Sequence, residues 1–507
     1  MKTESNIFTF FSQSGIYVLG GILQRSVGFF LLPLYTSFLT PEDYGIAGLI
    51  SVSISLLLPV GIMGISTSLM IEYYHSDSEK EKKSIVSTAI VISSLTSIFI
   101  STILFLSSRI ISNILFSSSN WTYCLQLASI SFLFSCISSV GFSFLRTRQQ
   151  PIRFRSLSIA SAVISALLNV LFIAHLGHGV AGFFEASVLT GLFQTGLLSF
   201  WIIKYVERSK IKKSIAISLL KLGFPDIPIR LSGWALTSAN RYLLAIFASI
   251  AEVGIFNLAF RISSILELLF ISIMTLAFDP FVLSHMRDDN FSDIYKRLVS
   301  YIMMFGVFLV CLLGVTSNEI IHLMARKKEF WPAYRSVGIL ALALLLYGFY
   351  MTYRPILGVL KKPSLAIPGM IVAAGVNAGL NYIFVPLWGA VGSALALAIA
   401  YLVTIVQIHY VISRHHQFAM PWVRLIRIFL AGAICYATSC FLPEWKPIIK
   451  LLAKICMISM SFPILLSILG GIDDAEKKAI HKRIGKYKFA NAAIAILFSL
   501  DLRKAFR

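Results

Sequence analysis

Long apolar stretches alternate with short polar gaps along nearly the whole chain. A helix that crosses a bilayer needs about 20 mostly apolar residues. Hydrophobic residues make up 57% of the 507 residues and charged residues only 13%, which leaves too little polar sequence to coat a water-soluble domain. We therefore expect an all-α polytopic membrane protein with fourteen transmembrane helices. They are predicted at Ser14–Phe38, Gly45–Met70, Ile85–Leu106, Tyr123–Leu145, Ser156–Ala174, Val180–Ile203, Ile227–Phe247, Val253–Val282, Leu298–Leu323, Ser336–Val359, Ser364–Val385, Ala390–Val411, Leu425–Phe441 and Ile448–Leu469.

The 44 Lys and Arg residues are divided unequally between alternate gaps. The N-terminus and every second gap after it hold most of them. Because positively charged loops stay in the cytoplasm, this bias predicts that both termini are cytoplasmic. The net charge of +21 then reflects topology and anionic lipid headgroups, and it does not predict nucleic-acid binding. The opposite gaps hold Arg109, Arg326, Lys327, Lys328, Arg335, Lys446 and Lys450.

An internal repeat divides the sequence. Ser156-Leu157-Ser158-Ile159 precedes Asn169 by the same spacing that separates Ser364-Leu365-Ala366-Ile367 from Asn377, and a small-residue helix start follows each copy. A fainter echo pairs the segments at 42–46 and 251–255. Repeats offset by six helices predict two six-helix lobes, related by an axis along the membrane normal, with a cavity between them. The predicted domains are 1–206 (helices one to six), 207–415 (helices seven to twelve), 416–470 (helices thirteen and fourteen) and a basic cytoplasmic tail at 471–507.

Cations inside apolar stretches are the strongest indication of a functional site. An Arg or Lys at the bilayer centre costs about 2.5–3.5 kcal/mol on insertion scales, so it usually faces water or a partner. Arg25, Arg241 and Arg261 are the deepest, and Tyr35, Trp234 and Asn257 share their helix faces. Guanidinium groups bind phosphates, and aromatic faces suit sugar rings. These six residues predict a cationic cavity for an anionic substrate.

Two acids inside the apolar stretches, Glu267 and Glu185, are candidates for ion coupling, because buried carboxylates can carry protons. An alternative reading is structural: Arg261 pairs with Glu267 or with another acid, and the pair only holds helices together. Arg230 and Lys454 also have structural readings, the first as a partner of Asp226 one helical turn away. The sequence leaves both readings open.

Catalytic and metal-binding patterns are missing from the sequence. His175, His178 and the pair His415-His416 lack further ligands at metal-site spacing. There is no glycine-rich phosphate loop, so ATP is not the expected energy source. We expect a transporter without a cofactor, driven by a proton or sodium gradient, and not an enzyme.

The segment Leu32-Pro33-Leu34-Tyr35-Thr36-Ser37-Phe38-Leu39-Thr40-Pro41-Glu42-Asp43-Tyr44-Gly45-Ile46 resembles the first-helix signature of polysaccharide flippases in the multidrug/oligosaccharidyl-lipid/polysaccharide exporter superfamily. The segment from Phe224-Pro225 to Asn240-Arg241-Tyr242 resembles the start of that family's second half. The resemblance implies a bacterial inner-membrane protein that moves an undecaprenyl-diphosphate-linked oligosaccharide, such as an O-antigen unit, to the periplasmic leaflet by alternating access. Membrane lipids and other polysaccharide-assembly proteins are its implied partners.

Two other functions are alternatives for a membrane protein of this kind. A multidrug exporter of the same superfamily would share the architecture, but it moves cationic drugs and should line its cavity with acids. A polysaccharide polymerase or ligase would need a large external loop for its chemistry, and the predicted external gaps are short.

Overall fold

The computed structural model describes residues 28–206, 211–271, 274, 278–285, 291–360, 362–415, 420–439, 443, 445–473 and 476. All regular structure in these residues is helical. The first α-helices are α1 (Leu32–Phe38), α2 (Pro41–Ile62), α3 (Ile65–His75), α4 (Glu79–Leu106), α5 (Ser108–Phe116), α6 (Thr122–Thr147), α7 (Pro151–Asn169), α8 (Gly179–Ile202), α9 (Lys213–Gly223), α10 (Asp226–Ser238) and α11 (Asn240–Phe247). The others are α12 (Ile250–Leu266), α13 (Asp279–His285), α14 (Phe291–Met324), α15 (Tyr334–Thr352), α16 (Arg354–Val359), α17 (Ile367–His415), α18 (Trp422–Ser439) and α19 (Pro447–Ile468).

Eleven helical segments of the described chain are long and apolar enough to cross a membrane. One of them, 367–414, combines the predicted eleventh and twelfth helices across a kink at Gly389. The predicted first helix is described only from Gly28 onward, and the predicted seventh is divided into α10 and α11. A multi-pass helical membrane protein is confirmed, whereas the count of fourteen and the two six-helix bundles stay predictions.

Helix α4 shows how these helices are adapted to lipid. Its large side chains point outward, with Leu95, Phe99 and Leu106 at 63%, 67% and 77% exposure. Its buried face carries small polar residues instead, and Ser101 there donates a 2.7 Å hydrogen bond to the carbonyl oxygen of Ser129 on α6. Lipid tails are as apolar as large aliphatic side chains, so these side chains gain little by facing another helix. Small residues form the contacts between helices, because they let the backbones approach closely.

The start of α2 is fixed by local sequence. Thr40 and Asp43 form a capping box: the Thr40 side chain accepts a hydrogen bond from the backbone N–H of Asp43, and the Asp43 carboxylate accepts one from the backbone N–H of Thr40. Pro41 occupies the first helical turn, where its missing N–H costs nothing. The helix therefore begins at a defined residue.

The two copies of the repeat share local geometry. Asn169 and Asn377 are both 2% exposed. Gly179 and Gly389, which open the next helix in each copy, have φ values of +55° and +52°, a conformation that glycine adopts without a Cβ penalty. The repeat found in the sequence thus extends to the backbone of the turns.

The chain separates into two compact units, Met1–Asn257 and Leu258–Arg507. In the first unit, α6 packs against α4 and α8 around a core that includes Phe144, Leu157 and Leu198. In the second, α15 packs against α14 and α17. The lobe boundary predicted at 206/207 is not tested by this division and stays a prediction.

Candidate functional site

Arg241 lies at the centre of a polar cluster in the first unit. Its side chain is only 8% exposed. The Nε group donates a 2.6 Å hydrogen bond to Asn257 Oδ1, and Nη1 donates one of 3.2 Å to the carbonyl oxygen of Thr237. Its guanidinium carbon also lies 5.6 Å from the centre of the Phe256 ring. These three contacts are all with neutral groups.

Asn257 connects this cluster to α2. A Cβ atom at Gly48 would lie 1.8 Å from Asn257 Nδ2, so the amide fits only because residue 48 is glycine. The Nδ2 atom is buried and has no hydrogen-bond partner among the described residues. Asn257 thus directs its oxygen to Arg241 and its buried amide nitrogen toward α2.

Serines of α2 hold two aromatic side chains. Trp234 Nε1 donates a 2.9 Å hydrogen bond to Ser55 Oγ, and the Tyr242 hydroxyl lies 2.6 Å from Ser53 Oγ. The Trp234 and Tyr242 rings are 5.9 Å apart between their centres. The aromatic rings of α10 and α11 are therefore positioned by hydroxyl groups of α2.

Helices α2 and α12 meet backbone to backbone at their first turns. A Cβ at Gly45 would lie 2.0 Å from the Ile250 carbonyl oxygen, and one at Gly254 would lie 1.9 Å from the Pro41 carbonyl oxygen. The same sequence offset relates Gly45 to Gly254 and Pro41 to Ile250, so the contact is reciprocal between repeat-equivalent positions. The faint echo between 42–46 and 251–255 marks the residues of this contact.

The structure brings three of the six predicted substrate residues into one region: Arg241, Trp234 and Asn257. Tyr35 is buried in another part of the first unit, where its hydroxyl donates a 3.1 Å hydrogen bond to Asn169 Oδ1. Arg25 lies outside the described residues. Arg261 follows Asn257 by one turn of α12 and is half-buried. Their roles in substrate binding stay predictions.

The two candidate coupling acids have different surroundings. Glu185 accepts a 3.2 Å hydrogen bond from the Tyr123 hydroxyl, and its other oxygen lies 2.6 Å from His178 Nδ1. Glu267 begins a π-helical turn, Glu267–Ile271, and lies close enough to Tyr347 and Tyr401 for an electrostatic interaction. The described residues show no salt bridge between Arg261 and Glu267, which are six residues apart and therefore about 120° apart around a helix.

The structural readings of two other cations can be compared with the structure. Arg230 Nε lies 2.6 Å from Asp226 Oδ2, which confirms the predicted pair. Lys454 is 8% exposed and forms a buried ion pair with Glu319. Glu319 cannot be identified as the partner of Lys454 from the sequence, because the two residues lie on different helices and far apart in the chain.

The sequence model of a family described as "Polysaccharide biosynthesis protein" matches residues 35–328. Among solved structures, the chain resembles the lipid II flippase MurJ in an inward closed conformation, with 20% identity, a TM-score of 0.71, and coverage of 89% of this chain and 97% of that one. It also resembles an inward-facing multidrug resistance transporter of the MATE family, with 15% identity, a TM-score of 0.60, and coverage of 78% and 98%.

A third similar structure is a transporter of the same superfamily from Pyrococcus furiosus, with 15% identity, a TM-score of 0.58, and coverage of 85% and 96%. At these identities the likeness establishes the fold of the transporter superfamily. No curated protein matches the sequence.

Proposed function

The chain belongs to the polysaccharide biosynthesis protein family, and on that premise we propose that it is a flippase for undecaprenyl-diphosphate-linked oligosaccharides. It moves O-antigen or related repeat units from the cytoplasmic to the periplasmic leaflet of the bacterial inner membrane, with both termini in the cytoplasm. The family match carries this proposal. It covers residues 35–328 and therefore includes the whole Arg241 cluster.

The Arg241 cluster suits the headgroup of such a substrate. A guanidinium group binds phosphate oxygens through parallel hydrogen bonds, which a diphosphate offers in abundance. Trp234 and Tyr242 provide flat faces beside it for sugar rings. Arg241, Trp234 and Asn257 are the proposed substrate residues of this cluster, with Arg25, Arg261 and Tyr35 as further candidates.

We assign the energy source to a proton or sodium gradient acting through Glu185 or Glu267. The Glu185 carboxylate is within hydrogen-bonding distance of an imidazole and a phenol, so its protonation would rearrange a local network that joins α6 and α8. Glu185→Gln should therefore alter the dependence of transport on the gradient. Unchanged gradient dependence in both Glu185→Gln and Glu267→Gln would overturn this assignment.

The direct test of the flippase proposal deletes the gene and locates the lipid-linked intermediates. Complete repeat units that accumulate on the cytoplasmic leaflet support the proposal. Normal surface polymer in the deletion strain contradicts it.

A matched pair of arginine variants tests the cluster itself. Arg241→Ala removes the buried guanidinium and should reduce surface polysaccharide by about tenfold or more, since a hydrogen bond to a charged group contributes about 1.5–3 kcal/mol. Arg230→Ala is the control, because it removes an exposed cation of α10 that pairs with Asp226. Both proteins must be present in the membrane at equal levels. Equal amounts of surface polysaccharide in the two strains would show that Arg241 is not part of the substrate site.

The likeness to multidrug transporters supports a second candidate function, the export of cationic drugs. Sensitivity of the deletion strain to cationic drugs, together with normal polysaccharide export, would favour that function. The buried Arg241 weighs against it, because a cationic drug would meet a like charge.

A further inference from the structure

The second unit contains a cavity of about 680 Å³ between α14, α15 and α18. Its walls are mostly apolar and include Val310, Ile339, Leu342 and Phe429. Ala433 and Tyr436 line it from α18 and are exposed, so the cavity opens on the outer surface of that helix. The same surface of α18 exposes large apolar side chains, including Val423 and Ile426, as expected for a face in contact with lipid.

The length of the cavity matches one leaflet of a bilayer. Along α14 the lining runs from Val307 to Asn318, and along α15 from Tyr334 to Leu345. At 1.5 Å per residue, each of these runs spans about 15 Å. The hydrocarbon core of a bilayer is about 30 Å thick, so one leaflet is about 15 Å. An acyl chain from a single leaflet therefore fits the length of the cavity.

Positive charge is concentrated at one end of the cavity. Arg335 lines it and is exposed. The connection from α14 to α15 also carries Arg326, Lys327 and Lys328, and the start of α19 carries Lys446 and Lys450. Among the described residues of these two segments, Glu329 is the one acidic residue. In the proposed orientation this end is periplasmic, so the positive-inside rule does not account for the cluster.

Lys454 is not available to a ligand, although it also lines the cavity. Its ammonium group lies 2.7 and 2.8 Å from the two carboxylate oxygens of Glu319 and donates a 2.8 Å hydrogen bond to the Val315 carbonyl oxygen. These three acceptors use all three of its N–H groups. The charge presented to the cavity is therefore that of Arg335.

We propose that this cavity binds a phospholipid with an anionic headgroup from the adjacent leaflet, with an acyl chain between α14, α15 and α18 and the phosphate at Arg335. The apolar walls and the length of about one leaflet match an acyl chain. The positive charge at one end matches the phosphate of the headgroup. This site does not depend on the transported substrate, so it can fail or stand independently of the flippase proposal.

Binding can be measured by native mass spectrometry of the purified full-length protein with added phosphatidylglycerol or phosphatidylcholine. We expect phosphatidylglycerol to bind more tightly than phosphatidylcholine. Arg335→Ala should weaken phosphatidylglycerol binding by about tenfold, because one charge-assisted hydrogen bond is lost. Arg109→Ala is the control: it removes an exposed arginine from another predicted external gap, in the first unit and outside the cavity lining.

A second pair of variants tests the apolar part. Ala433→Trp places a large side chain in the mouth of the cavity and should abolish phosphatidylglycerol binding. Ala437→Trp makes the same change one turn further along α18, at an exposed position outside the lining, and should leave binding intact. Both positions are exposed, so neither change should prevent folding.

Three results would overturn the proposal. Equal binding of both lipids, unaffected by Arg335→Ala, would make the cavity a site for neutral acyl chains. Unchanged phosphatidylglycerol binding in Ala433→Trp would place the lipid elsewhere. Binding of undecaprenyl diphosphate at Arg335 in preference to phosphatidylglycerol would make the cavity part of the substrate path.

Discussion

The buried ion pair between Lys454 and Glu319 shows how much one partner matters in an apolar interior. Both side chains are almost fully enclosed, and the lysine is satisfied only by the carboxylate and one backbone carbonyl. Removing one member leaves the other as an uncompensated charge, which is more costly than losing both. The pair therefore acts as a unit that ties α19 to α14.

This leads to a prediction for single and double variants. Lys454→Met should destabilise the protein by about 3–5 kcal/mol, because Glu319 would be left buried without its cation. The double variant Lys454→Met with Glu319→Met should recover much of that loss, since both charges are removed. Thermal unfolding in detergent measures the difference. A double variant less stable than the Lys454→Met protein would contradict the pairing argument.

Glu476 offers a second prediction, on pH. Its carboxylate accepts hydrogen bonds from Arg424 Nη2 at 2.6 Å, from the Tyr301 hydroxyl at 2.5 Å and from the backbone N–H of Asp473 at 2.9 Å. Desolvation raises the pKa of Glu476, but these hydrogen bonds outweigh it and lower the pKa below its ordinary value of 4.5.

A lowered folded-state pKa means that the ionised carboxylate stabilises the folded protein above the unfolded-state pKa. That contribution is lost as the pH falls through the folded-state pKa. Glu476→Gln should therefore reduce the midpoint of thermal unfolding at pH 7, and its difference from the unaltered protein should shrink below about pH 4. A difference that is constant from pH 7 to pH 3 would show that the charge of Glu476 is not involved.

At the scale of helices, the reciprocal contact of α2 with α12 is the most demanding feature. Backbone atoms approach so closely at Gly45 and Gly254 that any Cβ atom would overlap a carbonyl oxygen. The carbonyl belongs to helix backbone and cannot rotate away, unlike the end of a flexible side chain. A substitution here must separate the two helices.

Gly45→Ala should therefore destabilise the protein by about 1–3 kcal/mol or shift it to a conformation in which α2 and α12 are apart. Gly254→Ala should have the same effect, because its contact is equivalent. Gly196→Ala is the control, since no atom of another helix lies within 4 Å of the Cβ position there. Thermal unfolding and cross-linking of cysteines introduced on α2 and α12 measure the two outcomes. If Gly45→Ala and Gly254→Ala both behave like Gly196→Ala, the two helices separate at little cost in free energy.

For the whole molecule, orientation is the property that most needs a direct measurement. The charge bias predicts that both termini are cytoplasmic, and the function proposed above depends on that orientation. Cysteines placed at Ser78 and at Lys328 should be labelled from opposite sides of the membrane, Ser78 from the cytoplasm and Lys328 from the periplasm. Both positions adjoin the ends of predicted transmembrane helices. Labelling of both from the same side would contradict the predicted topology.

The candidate residues that can be identified from the sequence are those that share one face of a single apolar helix. Arg241 and Trp234 stand out because they lie on one face of an otherwise apolar predicted helix. Asn257 lies on a similar face of α12. Their partners Ser53, Ser55 and Gly48 were missed. Serine and glycine are common in membrane helices, so the sequence of α2 does not distinguish these three residues from the others. Their contacts with Trp234, Tyr242 and Asn257 identify them.

The amino-acid sequence by itself determined the class of the protein, most of the apolar segments that are long enough to cross a membrane, the internal repeat and the cations that need a partner. These follow from free energies of transfer and from periodicity, which act locally along the chain. Only the tertiary structure decided which partner each polar group has. Asn257 holds Arg241, Glu319 neutralises Lys454, and Asn169 binds Tyr35. These pairs join residues on different helices, and their energies depend on distances that no local pattern specifies.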